Sequence, residues 1–99
     1  MKEKKVSVLA YVKAKAGFEE RVREACLALV APSRAEEGCL NYDLHQSIEN
    51  IGRFMFYENW MSKERLERHL ERPHSLAFDE RTEGMLEEAE EVTFWEMIS

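Results

Sequence analysis

The sequence predicts an α+β fold, a ferredoxin-like split βαβ sandwich in which helices cover one face of an antiparallel sheet. Three observations predict it. Apolar residues alternate with a period of two in four stretches and recur at helical spacing in the stretches between them. The order along the chain is strand, helix, strand, strand, helix pair, strand, which is the order of that supersecondary arrangement. Finally, 99 residues with a 44% apolar fraction suit one domain over residues 1–99, and no repeat, linker or low-complexity tract divides it.

Each element has its own signal. Lys5 to Lys13 alternates around the β-branched Val6, Val8 and Val12 and reads as the first strand, broken at Ala16-Gly17. From Phe18 to about Ala31, the residues Phe18, Val22, Ala25, Cys26, Leu29 and Val30 form a helical stripe. Glu19 and Glu20 suit the positive end of that helix's dipole. Pro32 is expected to stop it, because proline cannot continue the hydrogen-bond ladder. Gly38 opens a second strand, Cys39 to Ser47. The turn Glu49-Asn50-Ile51-Gly52 and an aromatic third strand, Arg53 to Trp60, complete a hairpin. Ser62 is a candidate N-cap for a helix from Lys63 to Glu71. Pro73, well suited to a first turn, restarts a helical piece through about Glu83. Gly84 breaks again, and Val92 to Ile98 is the last strand.

Composition excludes several classes. The net charge is −6, and it sits almost wholly between Asp79 and Glu91, where seven acids face one base, Arg81. No basic stripe exists for phosphates, so nucleic acid is not expected as a partner. The acidic run reads as a solvated helix face and loop. No apolar run approaches the roughly 20 residues that span a bilayer. The charged start, Met1-Lys2-Glu3-Lys4-Lys5, leads into a strand and not into the apolar core of a signal peptide. Cys26 and Cys39 make neither a disulfide framework nor a zinc spacing, and the cytoplasm is the expected compartment.

The strands look apolar on both faces, since Val6, Val8 and Val12 alternate with Leu9 and Tyr11, and Phe54, Phe56 and Trp60 with Met55 and Tyr57. Helices in this topology cover one face only. An apolar face of that size is unusual in a monomer, and a second copy of the chain is its simplest cover.

The chemistry-bearing candidates are few. His45, His69 and His74 are the three histidines, the side chains best placed to move protons near neutral pH. His69 and His74 are five apart across a proline, which gives no i, i+4 metal pair, and no metal is expected. Asn41, Asp43 and His45 share one face of the second strand. Glu58 lies on the same face of the third strand as Phe56 and Trp60. A carboxylate there needs a partner, because burial without one is costly. A histidine or tyrosine from a helix would either fasten helix to sheet or become an oriented base. Cys26 reads as inert packing.

The stretch Ala31 to Gln46, then Arg53-Phe54-Met55-Phe56-Tyr57-Glu58-Asn59-Trp60, then His69-Leu70-Glu71-Arg72-Pro73-His74, resembles the antibiotic biosynthesis monooxygenase family, and within it the small quinol monooxygenases. The likeness covers essentially the whole chain. It implies a dimeric α/β barrel, two protomers with facing sheets, and a pocket between sheet and helices near Tyr42, Glu58, Trp60, His69, His74 and Phe78. Haem-degrading members carry an Asn on the first strand together with a Trp and a His; Val6 to Val12 holds no Asn, so that branch is not expected. The implied activity is cofactor-independent oxygenation of a quinol or polyphenol by dioxygen. In that scheme Trp60, Phe56 and Phe78 sandwich the ring. His74, in preference to His69, takes the phenol proton and is oriented by Glu58, while Tyr42 or Asn41 donates to the oxyanion. The alternative is a non-catalytic small-molecule binder or stress-associated dimer on the same barrel.

Overall fold

The computed structural model describes residues 4–99; Met1 to Glu3 of the charged start lie outside the described residues. The elements run β1 (Val6–Lys13), α1 (Glu19–Arg34), β2 (Cys39–Gln46), β3 (Arg53–Trp60), α2 (Lys63–Leu70), α3 (Pro73–Arg81) and β4 (Glu91–Trp95). The sheet order is β2-β3-β1-β4 with every neighbouring pair antiparallel. This is the expected ferredoxin-like arrangement. No helix among the described residues is long and apolar enough to cross a membrane.

Register decides which side chains meet the helices. Val8 pairs Glu58, Ala10 pairs Phe56 and Val12 pairs Phe54, while Tyr42 on β2 lies opposite Glu58. Because side chains on paired residues share a face, these residues all point toward the helices, and all are buried. The α1 stripe of Val22, Ala25, Cys26 and Leu29 packs onto them as the sequence predicts.

Pro32 does not end α1. The helix continues through it to Arg34, since a proline near the last turn removes only one N–H donor and the following turn remains bonded through Ala35 N to Ala31 O at 3.1 Å. The extra turn carries the chain to Gly38, whose φ of +95° an L side chain rarely adopts. A Cβ there would lie 2.6 Å from Arg65 Cγ, so glycine also lets α2 pack directly over the loop. Ser62 caps α2 as expected, accepting from Arg65 N at 3.3 Å.

The other sheet face is less apolar than the alternation suggests. Tyr11, Tyr57 and Trp95 are exposed on it, but they flank a chain of polar contacts. Ser7 Oγ donates to Asn59 Oδ1 (2.5 Å), Asn59 Nδ2 to Asn41 Oδ1 (2.8 Å), and Asn41 Nδ2 to Asp43 Oδ2 (3.1 Å). The acidic stretch after α3 is tied to the end of β1, with Lys15 N donating to Met85 O and Glu87 N to Lys13 O, each at 2.8 Å.

Candidate functional site

A partly open cavity of about 70 Å3 lies between the sheet and the helices. The sheet floors it with Val8, Ala10, Tyr42, Phe56 and Glu58; α2 and α3 roof it with Leu66, His69, Ser75 and Phe78; Asp79 and Glu90 close one side. A larger open hollow of about 600 Å3 lies at Tyr11, His45, Arg53 and Met55. The inner cavity gathers several ionisable side chains whose ordinary state is shifted by burial, and groups perturbed in that way mark functional sites more often than volume does.

His69 is the polar centre of the roof and is 5% exposed. Its ring lies 4.6 Å from the Trp60 ring, tilted by 33°, and meets Tyr42 edge-on at 5.5 Å. Its Nδ1 is 2.6 Å from Glu36 Oε2. Glu36 comes from the loop between α1 and β2 and is also 2.7 Å from His74 Nε2, with Arg72 Nε 3.5 Å from its other oxygen. An ionised carboxylate only accepts, so both imidazoles donate to Glu36. The proton then sits on Nδ1 of His69, and Nε2, which has no protein partner among the described residues, is left as a lone-pair base. Burial, opposed by Glu36, holds the His69 pKa below its ordinary value, so the imidazole is neutral and free to accept a proton.

Beneath it, Glu58 Oε1 accepts from Trp60 Nε1 at 2.9 Å. Burial pushes the Glu58 carboxyl up to about 7, with the indole hydrogen bond opposing and Glu90 and Glu36 reinforcing. Glu90 is also pushed up to about 7, first by burial of its carboxyl and then by Asp79; its outer side stays exposed, and solvent there screens the effect. Tyr42 is raised above its ordinary range, chiefly by burial, and remains a neutral hydroxyl. Burial lifts the Cys39 and Cys26 thiols to about 11 and about 12, consistent with inert side chains.

The cavity brings together Tyr42, Phe56, Glu58, His69 and Phe78 of the residues singled out from sequence. Trp60 stands just behind, under His69 and bonded to Glu58. Two expected placements do not hold. Asn41 belongs to the opposite sheet face, where it bonds Asn59 and Asp43, because it is one residue out of phase with Tyr42. His74 faces Glu36 and an outer hollow of about 280 Å3 with Arg72 and Pro73 instead of the cavity. The expected pairing of Glu58 with a histidine is also replaced: Glu58 takes the Trp60 indole, and the histidines take Glu36.

Glu36 is the residue sequence reasoning missed. Its only signal was its position two residues before Gly38, and nothing local separates it from the other 19 acids. With His69 and His74 it forms the one group among the described residues with a metal-ligand donor set, its ligand atoms all within 4.8 Å of one another. The expectation that the histidines share no such cluster is therefore corrected. Contacts of 2.6 and 2.7 Å are nonetheless hydrogen-bond lengths. An ion at about 2.0–2.2 Å from each donor would have to displace both protons beside a guanidinium.

Comparison with known proteins follows the same line. The antibiotic biosynthesis monooxygenase sequence profile matches residues 5–81. The chain belongs to that family. Similar to this monooxygenase-family chain is Rv0793 of Mycobacterium tuberculosis, named a putative monooxygenase, at 32% identity over 74% of this chain and 71% of that protein. YcnE of Bacillus subtilis, named in the same way, is 33% identical over 70% of this chain and 73% of its own length. An uncharacterized Synechocystis protein, sll1783, is 24% identical, and the chain spans only 63% of its length. Among solved structures, PA3566 of Pseudomonas aeruginosa superposes with a TM-score of 0.93 at 33% identity, covering 100% of this chain and 99% of that one. These likenesses support a monooxygenase-like function for this family member.

Proposed function

We propose that the protein is a cofactor-independent monooxygenase of quinol or polyphenol-type aromatic molecules, with His69 as the base. The observation that carries this is the buried His69, its Nδ1 fixed on Glu36 and its Nε2 left free at an aromatic-walled cavity. A phenol entering the cavity gives its proton to Nε2, and Glu36 stabilises the imidazolium that results. The electron-rich phenolate then reacts with dioxygen. Oxygen adds at a ring CH carbon beside the phenolate; one oxygen atom stays on that carbon as the ring becomes a hydroxyquinone, the other leaves as water, and all four electrons come from the substrate. Tyr42 and protonated Glu58 offer O–H donors to the developing oxyanion, while Phe56 and Phe78 wall the ring. The geometry favours His69 over His74, which touches Glu36 from the outside.

A homodimer is part of this reading. The exposed Tyr11, Tyr57 and Trp95, flanking polar groups already bonded to one another, make a face suited to a second copy. Sedimentation at low micromolar concentration should give about twice the 11.7 kDa chain mass; a stable monomer refutes the dimer.

The test of the activity is oxygen uptake, with and without protein, over a panel of hydroquinones, with anaerobic controls. Uptake above autoxidation is expected. His69→Ala should lower it by about 10²-fold or more, the scale of a lost general base, and His74→Ala by less. Binding of a hydroquinone with no uptake would favour a non-catalytic binder.

A further inference from the structure

The acidic run has a place in the fold that this chemistry leaves unused. Phe78, Asp79 and Glu90 border the inner cavity on one side and an open hollow of about 350 Å3 on the other, so they form the partition between the two. Glu83 and Glu88 also line the outer hollow. No lysine or arginine lines either space. Arg81, within the run, faces Glu24 at 3.9 Å, and Lys13, brought to the run by the fold, meets Glu87 at 3.2 Å. Asp79, Glu83, Glu88 and Glu90 have no ion-pair partner among the described residues.

Asp79 and Glu90 are solvent-exposed, yet they line the same cavity as Phe78, which is 6% exposed, and the buried His69. Nor do they converge as a metal set, since Glu36, His69 and His74 alone do so among the described residues. An organic cation satisfies what a metal does not: one positive charge carried on an apolar body.

The geometry points to a substrate whose aromatic ring carries no negative charge and bears a protonated amine, the amine held by Asp79 and Glu90 while the phenol reaches His69. This inference rests on the reading of the inner cavity as a quinol site. Anionic rings, carboxylated or phosphorylated, are turned away at the outer hollow by unpaired carboxylates that no cation offsets.

Three hydroquinones with one ring and different tails test it: aminoethyl, hydroxyethyl and carboxymethyl. Affinity is read from Trp60 quenching and protein NMR shifts at pH 8, above the value to which Glu90 is lifted. The aminoethyl compound should bind about tenfold or more tighter than the carboxymethyl one, with the neutral tail between them. Asp79→Asn with Glu90→Gln should compress that order to within about threefold, and the exposed Glu90→Gln alone should compress it in part. Equal or tighter binding of the carboxymethyl compound overturns the inference, as does an order that survives the double substitution. If the three bind with no charge order, the quinol-site reading stands without the inference; if none binds, both fall.

Discussion

Glu36→Gln is the substitution that interrogates the site most directly. The side chain is 5% exposed, and one oxygen accepts from two imidazoles at 2.6 and 2.7 Å. Glutamine preserves shape but loses the charge and turns one of its two termini into a donor. Hydrogen bonds to a charged group contribute about 1.5–3 kcal/mol each. Glutamine's carbonyl oxygen can stand in that place and accept from both, so the loss is the charge assistance of two hydrogen bonds, about 2 kcal/mol in all. For a chain of this size that is about 8–16 °C in Tm. The second readout is nitrogen-15 NMR of His69. In the parent protein the Nδ1–H tautomer should dominate; in the variant Nε2–H should gain population, and any turnover should fall with it. A variant that melts within about 2 °C of the parent and keeps the Nδ1–H tautomer would refute the claim that Glu36 orients His69.

Glu58→Gln should stabilise the protein above pH 7 and do little below pH 4.5. The folded carboxyl is lifted from 4.5 to about 7, so the native state binds the extra proton between those values and loses that advantage as pH rises through 7. The ceiling is about 3 kcal/mol, read as the difference between urea midpoints at pH 8 and pH 5; a difference that does not grow with pH sinks the assignment. His69 tilts the other way: its pKa is lowered in the folded state, so its contribution is intact above 6.5 and declines as pH falls below it, and removing His69 should flatten that limb of the acid titration. Gly38→Ala meets both a φ of +95° and Arg65 carbons under 3 Å away, and should cost about 2 kcal/mol or more in stability; a neutral result would mean that the loop is free to rearrange.

The fold was legible because its signals are local. β3 was bounded correctly at Arg53 and Trp60 by an aromatic alternation between two breaks, and Ser62 and Pro73 marked the starts of α2 and α3. Pro32 misled because a helix tolerates proline where neighbouring bonds and packing hold the turn, and that support is tertiary. β4 stops at Trp95 and not at Ile98 because only Glu91 to Trp95 find partners on β1. At the site, Tyr42, Phe56 and Glu58 could be put on one face by period alone. Which carboxylate reaches a histidine could not, since Glu36 lies 33 residues before His69 and 38 before His74. The Glu58–Trp60 bond, by contrast, spans two residues on the same strand face and was within reach of the sequence had the indole N–H been considered as its partner.

Glu36 is bonded at once to the last residue but one of α2 and to the second residue of α3, from a loop that belongs to neither helix. It therefore acts on the roof of the cavity as a rivet acts on two overlapping plates. Neither helix can lift alone without tearing the same carboxylate contact, so the roof should move as one body. Amide protons of α2 and α3 should then exchange with solvent at a shared rate, slower than the loops on either side and faster than β1 and β3 beneath. Access to the buried imidazole would be timed by that single opening.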